Sequence, residues 1–509
     1  MKVKIPDCGQ GFNQDTMAEE LAVGVWSGGY NMRPRAGFME RFHGIQATFT
    51  QPSVVPYYLD LFSINGTRYC LHAGLTSVFV DDGTTRTDIT GTAPTGTVDD
   101  RWTGGSFQGT PILNNGVNDP VYWDGNVANN LVTLPGWVAG TKARWMRPFG
   151  AFIVCGGMTI GGTEYPHLIQ WSSQATAGNL PSAWTASDTN LAGDNPGLVS
   201  DGEQVDAVAW NDSLFVFKED AVWLMRFLPG SNEVFQFNRV PGSGMLFRGC
   251  GVATPKGVVV LTSGDVIIHN GVQEVSIGDG RVRRAIFNLM NTENWKRCFL
   301  AVNEYYKEVW VCLPSVGKEA CTDAYTWNWE SNQWGIRKLP DVTFAASGLV
   351  PPSTSTQTWN KQTLSWAEQT EAWVEGNYSE NQSRMAVSTV DQRIGLVDQG
   401  ETDFGTAIAT RLERVGMAFD DPSTFKTLRE VQPTIDAQNG TMLTFQYGSH
   451  VLADDPATWK QSRIWTQGTS RKIYDFASGP YLALRIGSSG GQFWRIRSMA
   501  LDIQPNGQY

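Results

Sequence analysis

Charge is scarce in this sequence: Asp, Glu, Lys and Arg together make up 17% of 509 residues. That is too little for long helices laced with surface ion pairs. The 39 basic residues against 50 acidic ones leave a net charge of −11. Such a balance excludes a surface that wraps DNA phosphates over its whole area, though not a path along which DNA fails to stick. Cysteines are few and scattered. Cys8, Cys70, Cys155, Cys250, Cys298, Cys312 and Cys321 contain no C-x-x-C pair and lie outside zinc-finger spacing of any histidine. They read as buried thiols. No stretch approaches the ~18 consecutive apolar residues of a membrane helix. Residues 1–13 carry two lysines and no apolar leader core, so neither a membrane span nor a secretory signal is expected, and synthesis is expected in a reducing cytoplasm.

What the sequence has is turns and flat side chains: 54 glycines, 24 prolines and 20 tryptophans. This composition points to β structure. A short apolar run that meets Asp, Asn or Ser, usually with Gly, recurs seven times. It starts at Val78, Val121, Leu168, Val222, Val266, Tyr325 and Ile394, and the run at Val222 is the poorest match because it lacks the polar turn. The second residues stand at 79, 122, 169, 223, 267, 326 and 395, so the early spacing matches the ~40–50 residues of a propeller blade. Further strand formers stand one hairpin ahead of these phrases. In one, Leu61 to Ile64 is joined through Asn65-Gly66 to Arg68-Tyr69-Cys70-Leu71, a strong hairpin signal. The fold expected is all-β: a propeller of six or seven blades with insertions, plus a C-terminal β-sandwich-like domain. A pair of ordinary sandwiches is the rival.

The division expected is an N-terminal extended segment over 1–50, the propeller over 51–400 and the sandwich over 401–509. Val282, Ile286 and Met290 fall on one stripe at four-residue steps and predict a short helix inserted between blades. Residues 350–377, rich in Ser, Thr, Gln and Pro, read as a long excursion. Beyond 405 the runs alternate as strands with one polar face, as at Met442 to Tyr447 and Tyr481 to Ile486. From 460 to 500, seven bases face one acid, a local +6 that leaves −17 on the rest of the chain. Arg485, Arg495 and Arg497 in this stretch are the candidate assembly contact, a surface for nucleic acid or an acidic protein rim. On alternating strands they equally suit a solvated face.

Chemistry has few footholds. The five histidines, His43, His72, His167, His269 and His450, form no metal-binding spacing. The glycines at 242, 244 and 249 do not complete a dinucleotide fingerprint, and Gly487-Ser488-Ser489-Gly490-Gly491 joins two strands where a nucleophile elbow needs a helix. Asp81, Asp82 and Asp124 sit in turns, where a carboxylate caps its own backbone. No catalytic, cofactor-binding or metal residues are therefore assigned, and no enzyme is expected. Propellers do bring carboxylates together from separate blades, so a carbohydrate-binding or carbohydrate-cleaving propeller is the alternative.

Four stretches carry a family likeness. They are Tyr30-Asn31-Met32-Arg33-Pro34-Arg35 through Phe38 with Phe42-His43-Gly44-Ile45; Ala285 to Asn291 with Glu308 to Pro314; Gly395-Leu396-Val397-Asp398 with Thr402 to Ile408; and Trp494 to Ile503. In these the chain resembles, over nearly its full length, the tail nozzle (tail hub, tail tubular B-type) proteins of short-tailed bacteriophages. The resemblance implies a structural protein of the virion tail, made in the cytoplasm of a bacterial host. It implies a hexamer below the tail adaptor whose ring conducts the genome at ejection without sequence-specific DNA binding. Contacts to tail fibre or plug proteins are implied as well. The family has no short diagnostic site, so no residue role transfers.

Overall fold

A two-residue hairpin turn needs positive φ at both central positions, and Asn65 and Gly66 adopt 52° and 79°. This turn joins the first two strands of the first of seven blades in the computed structural model, which describes residues 2–187, 190–200, 202–230, 233–351, 383–419 and 421–508.

Each blade is a four-stranded antiparallel sheet. Blade 1 is Tyr58–Ile64, Thr67–Ala73, Val78–Asp81 and Arg86–Asp88; blade 2 is Thr103–Phe107, Thr110–Asn114, Val121–Tyr122 and Val132–Thr133. Blade 3 is Thr141–Phe149, Phe152–Ile160, Thr163–Trp171 and Gly193–Asn195; blade 4 is Gln204–Trp210, Ser213–Lys218, Val222–Phe227 and Phe235–Val240. Blade 5 is Gly251–Thr254, Gly257–Leu261, Val266–His269 and Glu274–Ser276. Blade 6 is Phe299–Asn303, Glu308–Leu313, Cys321–Asn328 and the first part of Gln333–Leu349.

That last strand, 17 residues long, does not stop at the rim. From Val342 onward it pairs with Ser383–Thr389 and becomes the innermost strand of blade 7. Ile394–Val397 follows, and Ile45–Ala47, from the other end of the chain, is the fourth strand. The first strands of successive blades lie side by side, and the innermost strand of blade 7 lies beside Tyr58–Ile64, which closes the circle. Buried apolar clusters fill the gaps between adjacent blades. Tyr69, Leu71, Trp102 and Trp123 occupy one such gap, and Phe49, Leu61, Ala386 and Leu396 occupy another. Burial on both faces explains why blade strands such as Gly257–Leu261 are continuously apolar.

The sandwich packs two sheets. One runs Gly28–Tyr30, Thr410–Met417, Tyr481–Ser488 and Met442–His450, with Thr458–Trp459 and Arg463–Thr466 at its edge. The other runs Phe38–Arg41, Trp494–Gln508, Thr424–Ala437 and Ile473–Gly479. Its core, including Leu428, Phe445, Leu484 and Ile496, continues without a break into that of blades 4 to 6, including Phe215, Val259, Val309 and Trp334. The N-terminal stretch is woven through both parts. Lys2–Ile5 pairs with Trp494–Gln508, and Met32–Arg35 bridges from Phe38–Arg41 to Ile336 of blade 6.

The helix expected from the stripe is α1, Arg283–Leu289, between blades 5 and 6, with Val282 and Ile286 fully buried. The Asp15 carboxylate accepts N–H groups from Arg284 and Ala285 at 3.0 and 3.3 Å, so the N-terminal stretch caps this helix from outside. The excursion read over 350–377 lies outside the described residues except for its first two positions.

Candidate functional site

A concentration of buried charge lies at the seam between propeller and sandwich. Arg33, on the strand Met32–Arg35, is fully buried. Its Nε donates to Glu40 Oε1 at 3.0 Å, and its two Nη atoms lie 3.2 and 3.0 Å from the Asp398 carboxylate. Its Nη1 also lies 3.5 Å from Glu308 Oε2. The guanidinium stacks over Tyr306 at 3.4 Å and Phe42 at 4.7 Å. Asn303 Nδ2 donates to Asp398 at 2.8 Å, and Trp310 Nε1 to Glu308 at 3.1 Å. Three elements are thereby tied to one cation: blade 6 through Glu308, blade 7 through Asp398 and the N-terminal hairpin through Glu40. Burial raises the Glu308 carboxyl to about 7 against the pull of Arg33. Burial also lowers neighbouring His43, stacked on Phe493 at 4.5 Å, to about 4.

A second group of arginines spans the propeller axis. Arg101, just ahead of the first strand of blade 2, donates to the carbonyls of Arg248, Cys298 and Arg297 at 2.9, 2.6 and 2.9 Å, at the entries of blades 5 and 6. Arg248 reaches back to the carbonyls of Arg144 and Asp99 at 3.0 and 3.2 Å. Arg147 makes a two-point pair with Asp206 at 2.9 and 2.6 Å and donates to Gly104 O at 3.2 Å, while Asp206 accepts the Gly249 N–H at 2.9 Å. These bonds tie the entries of blades 2 to 6 to one another. Half-buried Asp60, on the innermost strand of blade 1, is raised to about 6 by burial.

The three arginines singled out in the sequence do not share one patch. Arg485, on Tyr481–Ser488, donates to Glu413 at 2.8 Å and stacks over Trp459 at 4.1 Å. Arg495 and Arg497 lie on the other sheet, where Arg495 pairs with Asp436 at 2.6 Å and both stand over Phe38, at 4.5 and 5.8 Å. The local basic surplus is largely answered within the sandwich. Arg463 meets Asp475 at 3.0 Å and Lys472 meets Glu430 at 2.6 Å. Residues 401–509 hold eleven acids and eleven bases, which leaves the whole −11 on residues 1–400.

All seven cysteines are buried and free, and among the described residues no group of three or more His, Cys, Asp or Glu side chains is placed to hold a metal ion. Asp81, Asp82 and Asp124 cap turns, accepting the N–H groups of Gly83, Thr84 and Asn126 at 2.7, 2.8 and 2.9 Å. No described helix is long and apolar enough to cross a membrane. The seam and the axis escaped the sequence reading because their residues are far apart in the chain. The only local hint was an arginine-rich strand, Met32–Arg35, flanked by aromatics.

No family model and no curated protein matches the chain. Among solved structures it is similar to BBS1N, from a complex with ARL6 (10% identity, TM-score 0.37, 69% of this chain and 97% of that one). It is similar to the WD40 propeller domain of Doa1 (9%, 0.34, 70% and 98%). It is also similar to the Cps50 (Swd1) propeller domain of Myceliophteria thermophila (8%, 0.38, 70% and 99%). At such TM-scores the propeller is established by the sheet order and register of the chain itself.

Proposed function

We propose that this chain is a structural subunit of a short-tailed phage tail, the distal nozzle. In this reading six copies form a ring below the adaptor, the genome passes through that ring at ejection, and loops meet fibre or plug proteins. The reading rests on the convergence of the four stretches that carry the family likeness. The first supplies Arg33 and Phe42 to the seam, the second Glu308 and Trp310, and the third Asp398. The fourth is the sandwich strand paired with Met39 and Glu40. Residues that recur in such a likeness would then be kept for welding two β units into one stiff block, a mechanical demand. In this reading the conduit is the space between subunits, and the bonds that tie blades 2 to 6 together support it. The acidity of residues 1–400 suits a wall that does not hold DNA.

Negative-stain imaging of the purified chain, alone and with the adaptor, tests this reading. A six-fold tubular particle is expected in at least one condition. A monodisperse monomer in both sinks the proposal, and release of reducing sugar from glycans by that monomer supports the carbohydrate alternative. Within the proposal, neutralising Arg485, Arg495 and Arg497 to Gln weakens ring formation while far-ultraviolet circular dichroism stays unchanged. Unaltered assembly removes these three from the contact.

A further inference from the structure

Beside the Arg33 cluster lies a second pair of buried cations whose charge is only half answered. Arg41 and Arg337 are both fully buried. Arg41 Nη2 donates to the Glu401 carbonyl at 2.5 Å, and Arg337 Nη2 is paired with the Asp403 carboxylate. The Glu401 side chain itself is exposed. On each arginine, Nε and Nη1 are buried with no acceptor, which makes four nitrogens in all. Arginine cannot shed its proton to escape this situation, and a buried donor or charge without a partner is costly. The surroundings offer little relief. Phe42 presents its ring to the Arg337 guanidinium at 5.4 Å, the Asp403 carboxylate acts on both cations, and the Glu401 carboxylate, though exposed, acts on Arg41. Burial pulls Arg41 down to about 10, with neighbouring Arg337 adding to it and the Glu401 and Asp403 carboxylates opposing it.

We propose that Arg41 and Arg337 form a binding site for a small monovalent anion of halide size, enclosed where the N-terminal hairpin, blade 6 and the turn around Asp403 meet. One halide supplies the missing negative charge and, being spherical, accepts from guanidinium edges of any orientation. The site would use the anion as a structural part of the seam. This inference is independent of the role proposed for the chain.

Crystals of the full chain soaked in bromide test the site directly. An anomalous peak in hydrogen-bonding reach of the unpartnered nitrogens of Arg41 and Arg337 is expected. Absence of the peak, with the space empty or holding water, overturns the proposal. In solution, the melting temperature should rise with bromide or chloride when gluconate, too large to be enclosed, is replaced at constant ionic strength. Asp403→Asn, which removes a carboxylate that acts on both arginines, should make that rise steeper, and Arg337→Gln should abolish it. Equal melting in halide and gluconate for the wild type and for Asp403→Asn overturns the proposal even if Arg337→Gln fails to fold.

Discussion

A single guanidinium sets the energetics of the seam. Arg33 answers three carboxylates that are 2% exposed, Glu40, Glu308 and Asp398, and removing it strands them in a low dielectric. Arg33→Met should therefore destabilise the fold by about 3–5 kcal/mol, read as a lowered midpoint in urea. An unchanged midpoint would show that water already reaches the cluster. The pH dependence has sources of opposite sign, of which His72 and Glu308 carry large shifts. His72 is buried among apolar groups, stacked on Phe79 at 5.3 Å, and burial depresses it from 6.5 to about 3. A depressed folded value means that its contribution is present above the unfolded value of 6.5 and is lost as pH falls towards 3. Glu308 has the opposite sign: raised from 4.5 to about 7, its contribution is present below 4.5 and is lost as pH rises through 7. His72→Phe should flatten the acid side of a melting-temperature profile between pH 6.5 and 3. Glu308→Gln should flatten the decline between pH 4.5 and 7. Thermal scans of both variants beside the wild type check the two slopes.

At the scale of elements, the seven recurring phrases were the legible part. Each falls on the third strand of a successive blade, from Val78–Asp81 to Ile394–Val397, including the poorest match on Val222–Phe227. Third strands are flanked on both edges, and several, such as Val78–Asp81 and Ile394–Val397, are buried throughout, which favours strand formers there. Fourth strands such as Arg86–Asp88 and Glu274–Ser276 are short and partly exposed, and left no such signature. The closing strand of blade 7 was illegible for another reason. Ile45–Ala47 is three residues long, and its partner lies some 350 positions away, beyond the reach of any local pattern. The ladder alternation places the Gln46 N–H in a bond to blade 7, since Thr48 N donates to Ile394 O and Gln46 stands opposite Leu396. Gln46→Pro removes that donor. Amide exchange in 394–397 should accelerate at least ~10-fold, equivalent to roughly 1.4 kcal/mol. Exchange in blade 4 should not change, and a uniform acceleration would mean that closure is not local.

The whole molecule is less divisible than its sequence texture suggests. A change of pattern near residue 405 is real, yet the sandwich takes Gly28–Tyr30 and Phe38–Arg41 from the other end of the chain and shares its core with blades 4 to 6. Removal of residues 1–44 should therefore disable both parts. It takes away Phe12, Trp26, Met32, Met39 and Phe42, all at most 2% exposed, and leaves their cavities open. The expected result is loss of the cooperative melt and binding of an apolar dye. A truncated chain that melts as two intact units would contradict the continuous core.

The pairing of Lys2–Ile5 with residues 499–502 also dictates when the chain can finish folding. Lys2–Ile5 leaves the ribosome long before the residues it pairs with. At ~5–20 residues per second that wait is about 25–100 s. Blades 1 to 6 can form in order as they emerge, but blade 7 must hold an open edge until Ile45–Ala47 is seated in it. Closure of the ring thus waits on a segment made long before the blade it completes, and until that segment is seated the chain carries an unsatisfied strand edge, the interval in which a chaperone has something to hold.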